Sequence, residues 1–265
     1  MSYRPDFWNA LAQFHAEVED SNFDLASVRR LLPEIESPVL VVGAGQGLIV
    51  AELRKHGYEC EGVDLSPEMI RQAKLRRGLA LVQADAKAMP FPAASYQTII
   101  YATGVLDFTA EEDEIRAMLT EGRRVVKESG KVFVAFYRAS AAQEDFLARV
   151  GLLRDGKLAL RESFELYLLN PAQMVDWVAR RAGLGRVRAT VALLRLCALT
   201  TLKDKRTTLR MQGVFRKLDD PRILISAAPK HLPYRSEREI ENLFKRLGIP
   251  IERISASGGC WVARI

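Results

Sequence analysis

The stretch that decides the fold is Val39-Leu40-Val41-Val42-Gly43-Ala44-Gly45-Gln46-Gly47. Its first four residues are apolar and mostly β-branched, which predicts a strand buried on both faces. Three alternate glycines end this strand, and helical spacing follows over residues 48–55. A strand, a glycine turn and a helix in this order direct backbone N–H groups and a helix N-terminus at a ligand. The alternative interpretation is a tight turn that binds nothing.

The spacing of the glycines narrows the choice of ligand. A dinucleotide fingerprint has the pattern G-x-G-x-x-G, whereas the third glycine here comes one position early, at Gly47, and Leu48 takes its place. The Lys-Ser/Thr pair of a phosphate-binding P-loop is missing as well. The observed pattern, G-x-G-x-G after a first strand, resembles motif I of the class I S-adenosylmethionine (SAM)-dependent methyltransferases.

The bulk properties are those of an ordinary globular chain. Its 265 residues allow one large domain or a domain with a sizeable insertion, and its net charge is +6. The three cysteines are widely spaced, which predicts neither a disulfide framework nor a metal site. The first residues contain no apolar stretch of the signal-peptide kind. We therefore expect a cytoplasmic location.

Strands and helices alternate along the first half of the chain. Further strands are predicted at 60–64, 79–86, 95–102 and 131–137, with helices beginning after Ser66 and spanning 111–127. This alternation predicts a parallel sheet with helices on both faces. Two more strands, at 249–254 and 260–265, follow a helix that begins with a capping box at Ser236.

Two of the predicted strands end in an acidic residue. Asp64 follows the glycine loop by about twenty residues, and its two oxygens suit the vicinal hydroxyls of a ribose. Asp85, followed by a small residue, is placed to accept a hydrogen bond from an adenine amino group. The alternatives are a helix-capping role for Asp64 and a turn role for Asp85.

Residues 39–137 resemble the class I SAM-dependent methyltransferases in four successive elements. These elements are the glycine loop, Asp64, the pair Asp85-Ala86 before Met-Pro-Phe, and the segment Thr-Gly-Val-Leu-Asp-Phe over 103–108. Val-Asp-Leu-Ser-Pro-Glu-Met-Ile and Ala-Met-Pro-Phe-Pro are typical of the small-molecule branch that includes the ubiquinone/menaquinone-biosynthesis type. The resemblance implies a Rossmann-like, mostly parallel sheet of seven strands, completed by an antiparallel pair near residue 265.

The resemblance also implies a role for each matching position. The methionine part of SAM, or of its product S-adenosylhomocysteine (SAH), would lie against Gly43, Ala44, Gly45 and Gly47. Asp64 would hold the ribose, while the adenine would be flanked by Leu65, Asp85 and Ala86, and Thr103 would lie beside the sulfonium and the substrate. The chain departs from the family at Val41, because the family usually carries Asp or Glu two positions before the first glycine. Binding of the methionine end is then expected to need another side chain.

Two further segments flank the predicted core, which comprises 33–137 and 230–265. Residues 1–32 are predicted to form an N-terminal helical cap, either packed on the domain surface or placed as a flap over the cleft. Residues 138–229 are predicted to form an α-helical insertion whose segment 180–217 is basic and amphipathic. A substrate lid, a surface for nucleic acid or a membrane, and an arm for a homodimer are the three interpretations.

No metal-ligand spacing, nucleophile elbow or Cys/His pair appears in the sequence. The candidates for a base are Asp107, Tyr137, His15 and His231, although a base is optional in methyl transfer. The resulting expectation is a SAM-dependent methyltransferase acting on a small apolar or aromatic molecule. The alternatives are a methyltransferase for RNA or another polyanion, and a non-catalytic interaction protein with this fold.

Overall fold

The apolar run at residues 39–42 forms an inner strand of a seven-stranded sheet in the computed structural model. The model describes residues 5–18, 23–109, 111–138, 141–199, 221–228, 230, 232–233, 235–257 and 260–265. The strand order is β3-β2-β1-β4-β5-β10-β9. The strands are β1 Val39–Val42, β2 Cys60–Asp64, β3 Val82–Gln83, β4 Tyr96–Tyr101, β5 Val126–Tyr137, β9 Arg253–Ser257 and β10 Cys260–Arg264. All pairs are parallel except those of β10 with β5 and β9, so the predicted fold class is confirmed.

Two apolar layers cover the faces of this sheet. The helices of the first half are α1 Pro5–Val18, α2 Phe23–Leu31, α3 Leu48–Lys55, α4 Pro67–Arg77 and α5 Glu112–Val125. Because side chains alternate along a strand, Leu40 and Val42 pack with the buried face of α5, whereas Val39 and Val41 pack with α2 and α3. A helix near the end of the chain, Glu237–Leu247, joins the α5 layer.

Three predicted strands have different bounds in the structure. β3 contains only Val82–Gln83, and β5 begins at Val126 rather than at residue 131. The ladder between β4 and β5 shifts register between Tyr96 and Thr98, and a Cβ on Gly130 would lie 2.8 Å from the backbone oxygen of Gln97. Gly130 therefore marks a close backbone approach within the strand rather than its beginning. The strand predicted at 249–254 is β9, which is shifted because it pairs along β10 from Arg253 to Ser257.

The chain divides into two bodies. The first contains the sheet and comprises the described residues of Met1–Ala12, Asn22–Arg138 and Arg235–Ile265, and the second comprises those of Gln13–Ser21 and Ala139–Tyr234. The helices of the second body are α6 Ala141–Arg149, α7 Leu160–Glu165, α8 Pro171–Ala182, α9 Arg186–Leu199 and α10 Pro221–Ala227. The helix Glu237–Leu247, which belongs to the first body, is α11. Asn170 caps α8 in a capping box.

The second body also contains a three-stranded antiparallel sheet that the prediction of an α-helical insertion omits. Its strands are β6 Leu153–Arg154, β7 Lys157–Leu158 and β8 Leu232–Pro233. Asp155 and Gly156 join β6 to β7 with φ values of 48° and 67°. Asp-Gly between two short apolar segments is a strong hairpin signal, so the hairpin of β6 and β7 was predictable from the sequence, whereas its pairing with β8 was not. Within the described ranges, no helix is both long enough and apolar enough to cross a membrane.

Candidate cofactor site

The turn between β1 and α3 needs glycine for two different reasons. Gly43 has a φ of +71°, and a Cβ there would lie 2.1 Å from Cγ2 of Val105, in the segment that follows β4. Gly45 has a φ of +53°, and no heavy atom lies within 4 Å of its Cβ position. The first glycine thus allows two parts of the protein to pack together, whereas the second borders open space. Gly47 ends the turn as the N-cap of α3, which leaves that helix terminus without a side-chain cap.

Asp64 connects the end of β2 to this turn. Its Oδ2 accepts the N–H of Gly45 at 2.7 Å, and its Oδ1 accepts the N–H of Ser66 at 2.8 Å. The residue is only 8% exposed, and burial raises the pKa of its carboxyl group, although the backbone N–H groups partly offset this effect. Ser66, rather than Asp64, caps α4 by accepting the N–H of Met69. The Asp64 carboxylate and the glycine turn therefore form one site at the carboxyl edge of the sheet.

The other predicted cofactor positions lie at neighbouring strand ends. Leu65 directly follows Asp64 and is half-buried. Asp85 and Ala86 follow β3, where Oδ1 of Asp85 accepts the N–H of Lys87 and so shapes the turn. Thr103 is half-buried, two residues after β4. The parallel strands thus bring the predicted positions to one edge, as the carboxyl ends of an α/β sheet require.

The segment after β4 is held by a residue that sequence reasoning missed. The buried guanidinium of Arg235 donates to the carbonyl oxygens of Leu106 (3.1 Å), Asp107 (3.3 Å) and Thr109 (2.9 Å). It also lies 5.9 Å from the ring centroid of Phe136. Burial lowers the pKa of Arg235, but an arginine stays charged at neutral pH. Arg235 immediately precedes the N-cap of α11, and no local pattern indicates a partner so distant in sequence.

Two of the four candidate bases have described side chains. Oδ2 of Asp107 accepts the N–H of Gly104 at 2.9 Å, and its Oδ1 accepts the N–H of Tyr137 at 3.2 Å. Asp107 therefore joins the segment after β4 to the end of β5. Tyr137 is exposed at that end. The side chain of His15 and the whole of His231 lie outside the described residues, as do residues 200–217 of the basic segment 180–217, so these assignments stay predictions.

The first turns of α1 contact this edge of the sheet at three places. Ser66 Oγ donates to Oδ1 of Asn9 at 2.6 Å, and Gln46 Nε2 donates to the carbonyl oxygen of Ala12 at 2.7 Å. Trp8 packs beside Gly104, where a Cβ would meet its ring at 3.0 Å. The structure thus places residues 8–12 against the ends of β1, β2 and β4.

An aromatic cluster, Phe7, Trp8, Phe108 and Tyr137, lies at the end of β4. The Trp8 and Phe108 ring centroids are 4.8 Å apart, those of Phe7 and Phe108 5.5 Å, and those of Phe108 and Tyr137 6.4 Å. These separations are typical of edge-to-face and tilted aromatic packing. Aromatic side chains therefore lie next to Gly104, the residue that follows Thr103.

Comparison with known proteins agrees with this geometry. Residues 39–130 match the model of a family described as "Methyltransferase domain". The ubiquinone/menaquinone biosynthesis C-methyltransferase UbiE of Azotobacter vinelandii is 31% identical over 121 residues, which are 42% of this chain and 44% of that protein. The malonyl-[acyl-carrier protein] O-methyltransferase of Herminiimonas arsenicoxydans is 30% identical over 141 residues, 52% of each chain. The chain thus spans about half the length of these curated relatives.

A solved structure extends the likeness in fold to most of the chain. The PH0226 protein from Pyrococcus horikoshii OT3 superposes with a TM-score of 0.54 and 16% identity, over 91% of this chain and 88% of that one. At this identity the likeness concerns the fold alone. Residues 39–130, which contain the glycine turn and Asp64, are thus similar to the proteins of the family described as "Methyltransferase domain".

Proposed function

We propose that the protein transfers the methyl group of SAM to a small apolar or aromatic molecule. The observation that carries this proposal is the hydrogen bond of 2.7 Å between Gly45 N–H and Oδ2 of Asp64. It fixes a carboxylate beside an open glycine turn, and this is the arrangement that a nucleoside with an attached amino acid requires.

The residues of the site fit SAM. Each oxygen of the Asp64 carboxylate accepts one backbone N–H and has a further lone pair, so the pair retains capacity for two ribose hydroxyls. The space next to the Cβ position of Gly45 is free of protein atoms within 4 Å, so a ligand can approach the backbone there. The uncapped N-terminus of α3 adds a favourable field for a carboxylate of the methionine end.

When bound, SAM supplies a methyl group on a cationic sulfur that is already a good leaving group. The chain's own residues then have to bind SAM and the substrate, orient them toward each other and exclude water. The Asp64 carboxylate holds the ribose end, and the aromatic cluster lies beside Gly104, which follows Thr103, the predicted neighbour of the sulfonium. Aromatic rings attract cations on their faces and pack well against apolar molecules that could accept the methyl group. This property supports a small apolar or aromatic substrate. The similarity to the Azotobacter relative, which is named as a ubiquinone/menaquinone biosynthesis C-methyltransferase, supports the same class.

Calorimetric titration with SAM and SAH tests the cofactor site. Wild type and Asp145→Ala are expected to bind both ligands with micromolar affinity, because Asp145 lies on α6 in an exposed pair with Arg149. Asp64→Ala is expected to lose this binding, since it removes the acceptors for the ribose. Transfer of a radiolabelled methyl group to a panel of phenols and hydroquinones then tests the substrate class. No binding by wild type would overturn the proposal and favour the non-catalytic interaction protein.

A further inference from the structure

Val41 leaves the methionine end of the site without the family's usual acidic residue. Its side chain is 0% exposed and packs in the apolar layer with α2 and α3. Its neighbours in the sheet are Gly62 on β2 and Ile100 on β4, which offer no side-chain acceptor either. A side-chain acceptor for the α-ammonium group of SAM therefore has to come from elsewhere in the chain.

Gln46 carries such an acceptor within the glycine turn itself. The residue is 6% exposed, and its Nε2 donates to the carbonyl oxygen of Ala12. This bond fixes the orientation of the amide, because a carbonyl oxygen can only accept and the nitrogen must face it. Oε1 of Gln46 is consequently directed away from Ala12, and it is buried without a hydrogen-bond partner in the described structure.

A buried acceptor without a donor is unfavourable, so the protein is expected to provide a donor in some bound state. Another buried side-chain atom of the described residues shares this property, Oε2 of Glu114, whose carboxylate pairs with Lys87 through its other oxygen. Nε of Arg264 is buried as well, but it lies 2.7 Å from Oε2 of Glu252 in an ion pair. Gln46 is the neutral member of the three, and it lies in the turn that would contact the cofactor.

We propose that Oε1 of Gln46 accepts an N–H of the α-ammonium group of SAM or SAH, in place of the acidic residue missing at position 41. This assignment rests on the proposed function, since it concerns the same site. The amide is neutral, so the bond is charge-assisted from the ligand side alone. The bond from Gln46 to Ala12 holds the acceptor in position and connects it to α1. Gln46 is thus a binding residue that recognises one end of the cofactor.

A ligand pair isolates this contact. The probes are SAH and its analogue that lacks the α-amino group, titrated calorimetrically into wild type, Gln46→Leu and Gln97→Leu. Wild type is expected to bind SAH about ten- to a hundredfold more tightly than the analogue, as for a hydrogen bond to a charged group. In Gln46→Leu this ratio is expected to approach one, with little change in affinity for the analogue. Gln97→Leu is the matched control, because Gln97 lies at the amino end of β4 and contacts Ser129. It is expected to keep the wild-type ratio.

The outcomes separate this inference from the proposed function. If wild type binds SAH and the analogue equally well, or if Gln46→Leu weakens both by the same factor, the inference is overturned while the cofactor site stands. If wild type binds neither SAM nor SAH, both proposals are overturned. The comparison of the two ligands on wild type needs no variant, so equal affinities overturn the inference even if Gln46→Leu fails to fold. Gln46→Met, which keeps a similar volume, is the second variant.

Discussion

Alanine at Gly43 and at Gly45 is expected to destabilise the protein to different degrees, although both positions have positive φ. The left-handed conformation costs alanine about 1–2 kcal/mol at either position. At Gly45 no further cost arises, because the new methyl group has no neighbour within 4 Å. At Gly43 the methyl group would lie 2.1 Å from Cγ2 of Val105, well inside van der Waals contact. Overpacking of this kind costs about 1–3 kcal/mol more.

A double-mutant cycle with Val105→Ala tests the source of this difference. Removing Cγ2 of Val105 opens the space that the Gly43→Ala methyl group needs. We therefore expect Gly43→Ala to cost about 2–5 kcal/mol in the wild-type background but only about 1–2 kcal/mol in the Val105→Ala background. The free energies of unfolding are measured by urea denaturation, with the m-value checked for constancy. A coupling energy below about 0.5 kcal/mol would refute the packing argument, as would equal costs at the two glycines.

Three other properties are open to direct measurement. Burial raises the pKa of the Cys60 thiol to about 12. Cys60 and the equally buried Cys260 should therefore stay unlabelled by a thiol reagent at pH 8 until the protein unfolds. Peptide mapping that finds either cysteine labelled in the native state would contradict this prediction. Arg235→Lys should lower the free energy of unfolding by about 2–4 kcal/mol, because the single nitrogen of a lysine cannot replace donors on both Nη1 and Nη2, while the exposed Arg238→Lys should change it by less than about 0.5 kcal/mol. Because the folded pKa of Asp64 lies above its unfolded value, its contribution to stability is present at low pH and lost as the pH rises through the folded pKa. Wild type should therefore lose stability relative to Asp64→Asn over that range, and a parallel pH dependence of the two would argue against the effect of burial.

The local sequence was sufficient to predict the strands and the turn that form the candidate site. The four-residue apolar run of β1, the glycines after it and Asp64 at the end of β2 were all predicted where the structure has them. The reason is that glycine turns and buried parallel strands have strong local signatures. The bounds of β5 and β9 were wrong, because pairing with β4 and β10 determines them rather than local propensity.

The supporting contacts of the site could not be predicted from spacing. Gln46 contacts Ala12 across 34 residues of sequence, and Arg235 contacts Thr109 across 126 residues. Both depend on tertiary proximity, which periodicity and capping rules do not encode. The hairpin at Asp155-Gly156 is different, since its two-residue turn is a local signal that the helical interpretation of 138–229 passed over.

The two ends of the segment 139–234 have a consequence for how this fold tolerates change. Asp107 contacts the residues at both ends, because its side chain accepts the N–H of Tyr137 and its carbonyl oxygen accepts a hydrogen bond from Arg235, so the chain leaves the first body and returns to it at neighbouring points. The entropy of closing a flexible loop grows only with the logarithm of its length, so doubling the length costs about 0.6 kcal/mol. Exchanging residues 139–234 is therefore nearly free in closure entropy, so this segment can diverge while the glycine turn and Asp64 keep their geometry.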